Sequence, residues 1–280
     1  MRMLSRLLAV FVIAAPAAGL AQDRAAIEAA VNDNPYRTPE QMARDTYRHP
    51  AETLAFFGLE PDMTVAEVLP GWYTEIFGHL LKDNGTYFAI NLPPDPHGDP
   101  DRFRRMHAWR NGYIASKGEL FGDRAFARFL LSDIGFTAPE SVDMVLMFRA
   151  FHGWVYSGVV DEALDEVYRV LKPGGVLGIV QHRERPDADY TAYDRRGYVK
   201  QEFVIDVARN AGFELAEASE INANPDDTKD YEIGVWALPP SLAVDDLDLQ
   251  RKHRAIGESD RMTLKFVKPA GDRQTPQEPQ

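Results

Sequence analysis

Residues 161–180 read DEALDEVYRVLKPGGVLGIV. Glu162-Ala163-Leu164 opens a helix that runs through Val167-Tyr168-Arg169-Val170-Leu171, spanning 160–171. Lys172-Pro173-Gly174-Gly175 then stops it, because proline cannot continue a helix and glycine accepts the positive φ of a chain reversal. An apolar strand over 176–181 follows. A helix, a sharp stop and a buried strand in succession form the repeating unit of an α/β fold.

The same alternation extends in both directions from this unit. Short apolar runs at 64–69, 86–91, 127–131, 142–148, 213–219 and 233–238 read as strands, with a final strand at 262–267. Helical segments are expected at 73–81, 99–117 and 198–211, and a helix-like stretch at 244–253. Strands alternating with helices imply a parallel sheet with crossover helices. Before the first strand, residues 22–60 form a helical extension. Ala25 to Val31 carries an apolar stripe, and Thr38-Pro39-Glu40 places a cap residue before a proline at the first helical position. His49-Pro50 interrupts the helix that follows, and Gly58 ends it. The fold domain covers 61–268. Residues 269–280, rich in proline, glutamine and glycine, are expected to be disordered.

Residues 1–21 have the form of a secretory signal peptide. Arg2 and Arg6 supply positive charge, 7–15 an apolar run, and Gly19-Leu20-Ala21 the small residues of a cleavage site. The run breaks at Pro16, well short of the ~20 residues of a spanning helix, so no stable membrane anchor is expected after cleavage. The expected location is periplasmic or secreted. There are no cysteines, which excludes disulfides. Loss of the leader leaves 29 basic against 43 acidic residues, a formal charge of −14. A surface so negative repels phosphate, and nucleic acid is excluded as a partner. The partner expected is a small-molecule substrate.

In an open parallel sheet, ligands bind beyond the carboxyl ends of the strands. That rule selects Glu67, Pro70, Gly71, Trp72 and Tyr73 after the first strand. It selects Asn91 with Asp95 after the second, Ser132 and Asp133 after the third, Arg149, Phe151, His152 and Trp154 after the fourth, and His182 and Arg183 after the fifth.

The Leu-Lys-Pro-Gly-Gly stop with its helix and strand resembles the corresponding part of class I S-adenosylmethionine-dependent methyltransferases. The chain looks closer still to an exported subgroup of these. The resemblance is carried by Glu67-Val68-Leu69-Pro70-Gly71 before Trp72-Tyr73-Thr74-Glu75, by Phe148-Arg149 with Phe151-His152 and Trp154, and by Gly257-Glu258-Ser259-Asp260-Arg261 before Leu264-Lys265-Phe266. It covers roughly residues 35–268. It implies a Rossmann-like fold, a mostly parallel seven-stranded sheet with helices on both faces, and S-adenosylmethionine as cofactor. Glu67, Pro70, Gly71 and Tyr73 are then expected along the methionine part of the cofactor, Asn91 at the ribose, and Asp133 near the adenine. Asp95 is an alternative to Asn91.

The sequence departs from that pattern at one place. The subgroup carries three consecutive glycines before Trp-Tyr-Thr, and this chain has Gly71 alone, so Trp72 is expected to stand where bare backbone should be. Two functional readings follow. One is transfer of a methyl group to an oxygen or nitrogen of a small molecule; the other is a non-catalytic binding protein of the periplasm whose shortened loop has lost the cofactor.

In the implied architecture the fourth and fifth strands are neighbours, so His152 and His182 should face one another over the pocket. They could act as a general base, with Arg149 or Arg183 orienting an anionic group of the substrate. They could equally be structural, or hold a metal, although no third ligand with telling spacing accompanies them. Asp260 and Arg261 are expected to pair with each other and anchor the final strand, with a substrate role as the alternative.

Overall fold

The computed structural model describes residues 15–91, 100–131, 135–189 and 195–271. Seven strands form one sheet: β1 (Thr64–Val68), β2 (Thr86–Asn91), β3 (Ala125–Phe129), β4 (Val142–Phe148), β5 (Leu171–His182), β6 (Glu214–Ser219) and β7 (Arg261–Val267). Their order is β3-β2-β1-β4-β5-β7-β6, parallel except for β7, which runs antiparallel between β5 and β6. Four helices precede the sheet: α1 (Ala15–Asn32), α2 (Pro39–Met42), α3 (Asp45–Arg48) and α4 (Pro50–Phe57). Then come α5 (Thr74–Leu81), α6 (Pro100–Ser116), α7 (Gly118–Phe121), α8 (Phe151–Ser157), α9 (Val160–Val170), α10 (Gln201–Asn210) and α11 (Leu247–Ile256).

Parallel strands buried on both faces read as continuous apolar runs rather than alternating ones. That is why TVAEV, TYFAIN and VDMVLMF are dense in hydrophobic residues. Successive side chains still point to opposite faces. Ala66, Val68 and Ile90 enter one core layer with α8, α9 and α10, whereas Val65, Tyr87 and Ala89 enter the other with α1, α4 and α5. The second layer takes in the N-terminal segment. Leu54 and Phe57 of α4 are fully buried, each worth about 2 kcal/mol in apolar burial. Gly178 of β5 makes room for Phe57: a Cβ there would lie 2.8 Å from its ring.

The segment that decides the fold behaves as its chemistry requires. α9 ends at Val170, and Gly174 takes φ 80. The Gly174 N–H donates to the carbonyl of Lys268 at 2.8 Å, so the reversal is also stitched to the end of β7. His49, in the left-handed region at φ 40, separates α3 from α4, and Gly58 at φ 81 caps α4.

One expected strand is corrected. Residues 233–238 are not in the sheet but hold a short 3₁₀ turn, Gly234–Ala237, in which Gly234 adopts φ 61, a conformation that cannot continue a strand. The place beside β5 belongs to β7 instead. Because β7 is antiparallel, its first residue, Arg261, pairs with His182, the last residue of β5. The entry to β7 thereby reaches the same sheet edge as the ends of β1, β2, β4 and β5. α1 runs continuously through the expected cleavage point after Ala21. No helix among the described residues is long and apolar enough to cross a membrane.

Candidate functional site

β1 ends in a strained turn. Leu69 has φ 53, a region that side-chain-bearing residues rarely enter. Its N–H donates to the carbonyl of Ile90, which holds the turn against β2. Gly71 is exposed, and a Cβ added there would meet nothing nearer than 3.8 Å. The Pro70 carbonyl accepts from Arg110 Nη1 of α6 at 2.8 Å. Trp72 does not fill the loop. Its indole N–H donates to the carbonyl of Gln41, and the Arg37 and Arg48 guanidinium groups lie 4.8 and 4.7 Å from its ring, a double cation–π contact. Tyr73 turns the same way. It stacks on Phe148 at 3.8 Å and donates its hydroxyl to the carbonyl of Arg48. Both aromatics therefore fasten the N-terminal helices to the sheet.

Glu67 is 2% exposed, and one of its oxygens accepts from Tyr87 at 2.6 Å and Thr74 at 2.9 Å. Burial raises its carboxyl to about 7, against those hydrogen bonds and the nearby Arg110 charge. A carboxyl raised in the folded state contributes stability that is full below its unfolded pKa and is lost as pH rises through the folded value. Stability should therefore fall between about pH 4.5 and 8, by roughly 3 kcal/mol from this group. Glu67→Gln is expected to remove that slope, which denaturant unfolding at pH 5 and pH 8 would read.

At the end of β2, Asn91 is fully buried, and among the described residues neither its side-chain oxygen nor its nitrogen has a partner. A buried polar group without a partner costs about 1–3 kcal/mol. Asn91 is thus held ready to hydrogen-bond something, at the strand end where a dinucleotide-type ribose is met in such sheets. Asp95, Ser132 and Asp133 lie outside the described residues.

The ends of β4, β5 and β7 form the other half of the site. Arg149 takes φ 57, and its N–H donates to the carbonyl of Val180 at 2.6 Å. The rings of His152 and His182 are 5.8 Å apart, so the strand order brings together the pair that the sequence suggested. Gln181 fixes the first imidazole. Its oxygen accepts from the Phe151 N–H, its nitrogen donates to the carbonyl of Gly197, and that nitrogen faces His152 Nδ1 at 3.3 Å. This network assigns Nδ1 as acceptor and leaves the proton on Nε2. The His152 imidazole is pushed down to about 4 by burial, with a further push from the Arg149 charge. His182 meets Ser259 Oγ at 2.5 Å and is held well below 6.5 by burial, then by Arg149, His152, Arg261 and Arg48. Both rings are neutral at pH 7. Among the described residues no three His, Asp or Glu side chains are grouped to hold a metal.

Below the histidines sits the feature that sequence reasoning missed. Glu258, 2% exposed, receives Arg44 Nε at 2.8 Å, Arg48 Nε at 2.9 Å and Arg261 Nη1 at 3.0 Å, with Arg149 Nη1 at 3.7 Å. The expected Asp260–Arg261 pair is corrected: Arg261 turns to Glu258, and Asp260 binds Arg183 and Lys229. Arg183 also binds Glu220, and Arg183, Lys229 and Asp260 line a separate cleft of about 330 Å³ with Lys200 and Gln201.

A family profile described as a methyltransferase domain matches residues 113–179, from the end of α6 through most of β5. No curated protein matches. Among solved structures, a SAM-dependent methyltransferase from Aquifex aeolicus superposes with a TM-score of 0.53 at 16% identity, over 88% of this chain and 98% of that one. A putative sarcosine dimethylglycine methyltransferase from Galdieria sulphuraria gives 0.54 at 15% identity, over 83% and 88%. The [4+2]-cyclase SpnF gives 0.52 at 15%, over 91% and 96%. At these identities the likeness is one of fold. The architecture is the Rossmann-like fold of class I methyltransferases, with its antiparallel seventh strand.

Proposed function

We propose that the chain is an S-adenosylmethionine-dependent methyltransferase that acts on an oxygen or nitrogen of a small molecule. The observation that carries this reading is Asn91: a fully buried amide whose two ends are unpartnered among the described residues, at the strand end where the cofactor ribose would lie. The route of Trp72 supports it too, since the indole packs on the N-terminal helices and leaves the backbone at Gly71 bare.

On this reading Asn91 would hold the ribose hydroxyls, and the turn at Leu69, Pro70 and Gly71 the methionine part. The cofactor, when bound, supplies an electrophilic methyl on a sulfonium. Transfer then needs in-line positioning and an acceptor stripped of its proton. His152 presents Nε2–H to orient the acceptor, and His182 is the neutral imidazole left to take a proton. Arginines beside them stabilise the acceptor as an anion. The leader-like residues 1–21 support an extracytoplasmic place of work as part of the same proposal.

Calorimetric titration of the purified chain with S-adenosylhomocysteine tests the reading. Binding in the micromolar range is expected, weakened about tenfold in Asn91→Ala through loss of the ribose hydrogen bonds. No heat at high micromolar ligand would favour the non-catalytic binding protein instead.

A further inference from the structure

Buried charges in proteins are ordinarily paired, and an unpaired one is costly. The cluster around Glu258 breaks that rule. Four guanidinium groups, Arg44, Arg48, Arg149 and Arg261, share one carboxylate, which leaves an excess of positive charge inside the molecule. The donors are also under-used. Arg44 Nη2, Arg48 Nη2 and Arg261 Nε are buried without an acceptor among the described residues. Among the described residues the Arg149 guanidinium makes no hydrogen bond, since its approach to Glu258 at 3.7 Å is too long for one.

The four are not equivalent. Arg48 and Arg261 are 3% exposed and closed in: Arg48 lies against Trp72, and Arg261 donates to the carbonyl of Tyr47 at 2.5 Å. Arg44 and Arg149 are 26% and 28% exposed and contact opposite oxygens of Glu258. They form the open side of the cluster. Arg149 stands between the end of β4 and the start of α8, three residues before His152, so the open side adjoins the proposed acceptor site, and its charge acts on both histidines. A planar fork of N–H donors without a partner is what a carboxylate or phosphate needs.

We propose, resting on the methyltransferase reading above, that Arg44 and Arg149 together form a receptor for an anionic group, a carboxylate or phosphate, carried by the methyl-accepting molecule. Glu258 holds the two guanidinium groups in place without neutralising them. Arg48 and Arg261 supply the buried positive background. The N-terminal segment thus contributes a substrate-binding residue, and the substrate class narrows to acids: small molecules with at least one carboxylate or phosphate.

The test uses the full chain and two simple probes, inorganic phosphate and benzoate, titrated calorimetrically at constant ionic strength, with S-adenosylhomocysteine titrated in parallel. The variants are Arg149→Asn, since asparagine tolerates the left-handed backbone at that position, and Arg44→Gln. Arg149→Lys keeps the charge and loses the fork. Circular dichroism confirms that each is folded.

One of the probes should bind the wild type, and either neutral variant should weaken it about tenfold or more, with Arg149→Lys in between. S-adenosylhomocysteine affinity should stay within twofold. The two probes separate carboxylate from phosphate. Absence of anion binding in the wild type, or equal binding in wild type and variants, overturns the proposal. So does a parallel tenfold loss of S-adenosylhomocysteine affinity in Arg149→Asn, because the receptor would then serve the cofactor's own carboxylate. Failure of the methyltransferase reading looks different: the wild type takes up no S-adenosylhomocysteine, while the anion still responds to Arg44 and Arg149.

Discussion

Replacing Glu258 by Gln is expected to destabilise the fold by about 3–5 kcal/mol, the range for removing one partner from a buried ion pair. The amide keeps the shape and an acceptor oxygen but deletes the negative charge that the four guanidinium groups share. An independent route gives a similar figure. The arginines hold the Glu258 carboxyl down at about 2 against the opposing effect of burial, and that displacement corresponds to roughly 3 kcal/mol. The sign follows from the direction. A depressed carboxyl contributes stability that is full above its unfolded pKa and is lost as pH falls through the folded value. The wild type should therefore lose stability between about pH 4.5 and pH 2, and Glu258→Gln should lack that part of the acid limb. Chemical denaturation at pH 7 and an acid titration followed by circular dichroism read the two effects. A Glu258→Gln variant as stable as the wild type would mean that solvent, not Glu258, compensates the arginines.

The sheet was largely legible in the sequence, and the cluster was not, for different physical reasons. β1, β2 and β4 announce themselves because strands covered on both faces are mostly apolar, with polar exceptions such as Glu67 and Asn91. β3 begins two residues earlier than its apolar run suggested, because Ala125 and Phe126 are only partly buried at the sheet edge. The run at 233–238 is also apolar and largely buried, but in a 3₁₀ turn outside the sheet, and periodicity cannot separate those cases. The pairing of His152 with His182 was readable from strand order alone. Glu258 was not, because its partners Arg44 and Arg48 stand 214 and 210 residues away and become neighbours only when α2 to α4 fold back over the sheet. Asp260 and Arg261, adjacent in an extended segment, point to opposite sides and could not have paired with each other. Trp72 was expected in the cofactor loop for a related reason: nothing local reveals that Arg37 and Arg48 wait on its other side.

The fold leaves the chemistry open, since the sheet that superposes on two methyltransferases also superposes on a cyclase. What this chain adds to the shared sheet is its own edge: Asn91, the histidine pair, and a positively charged floor made by the N-terminal helices and the segment that enters β7. Function has to be argued from those residues.

If His182 takes the acceptor's proton, His182→Asn should lower kcat by about 10²–10⁴, the range for a general base, with little change in KM. A base held so far below 6.5 is a weak one, and a weak base suits only an acidic proton. The charges responsible also supply the remedy. Arg149, Arg261 and Arg48 depress His182 together with burial, and the same positive field favours the anionic form of any acceptor placed beside it. Weak base and acidified acceptor are two results of one arrangement. The pH–rate profile should show it. With His152 at about 4 and His182 also depressed, the usual histidine limb between pH 6 and 7 should be missing. Activity would hold below about pH 6 and fall only at the lower pH where the His182 imidazole begins to protonate. Arg149→Asn should move that limb upward towards 6.5, by removing a charge that both histidines feel. Initial rates of methyl transfer between pH 4 and pH 8 in wild type and variant give the comparison. A limb that stays at pH 6 to 7 in both would place the proton acceptor elsewhere and leave the histidines as structural members of the β4–β5 edge.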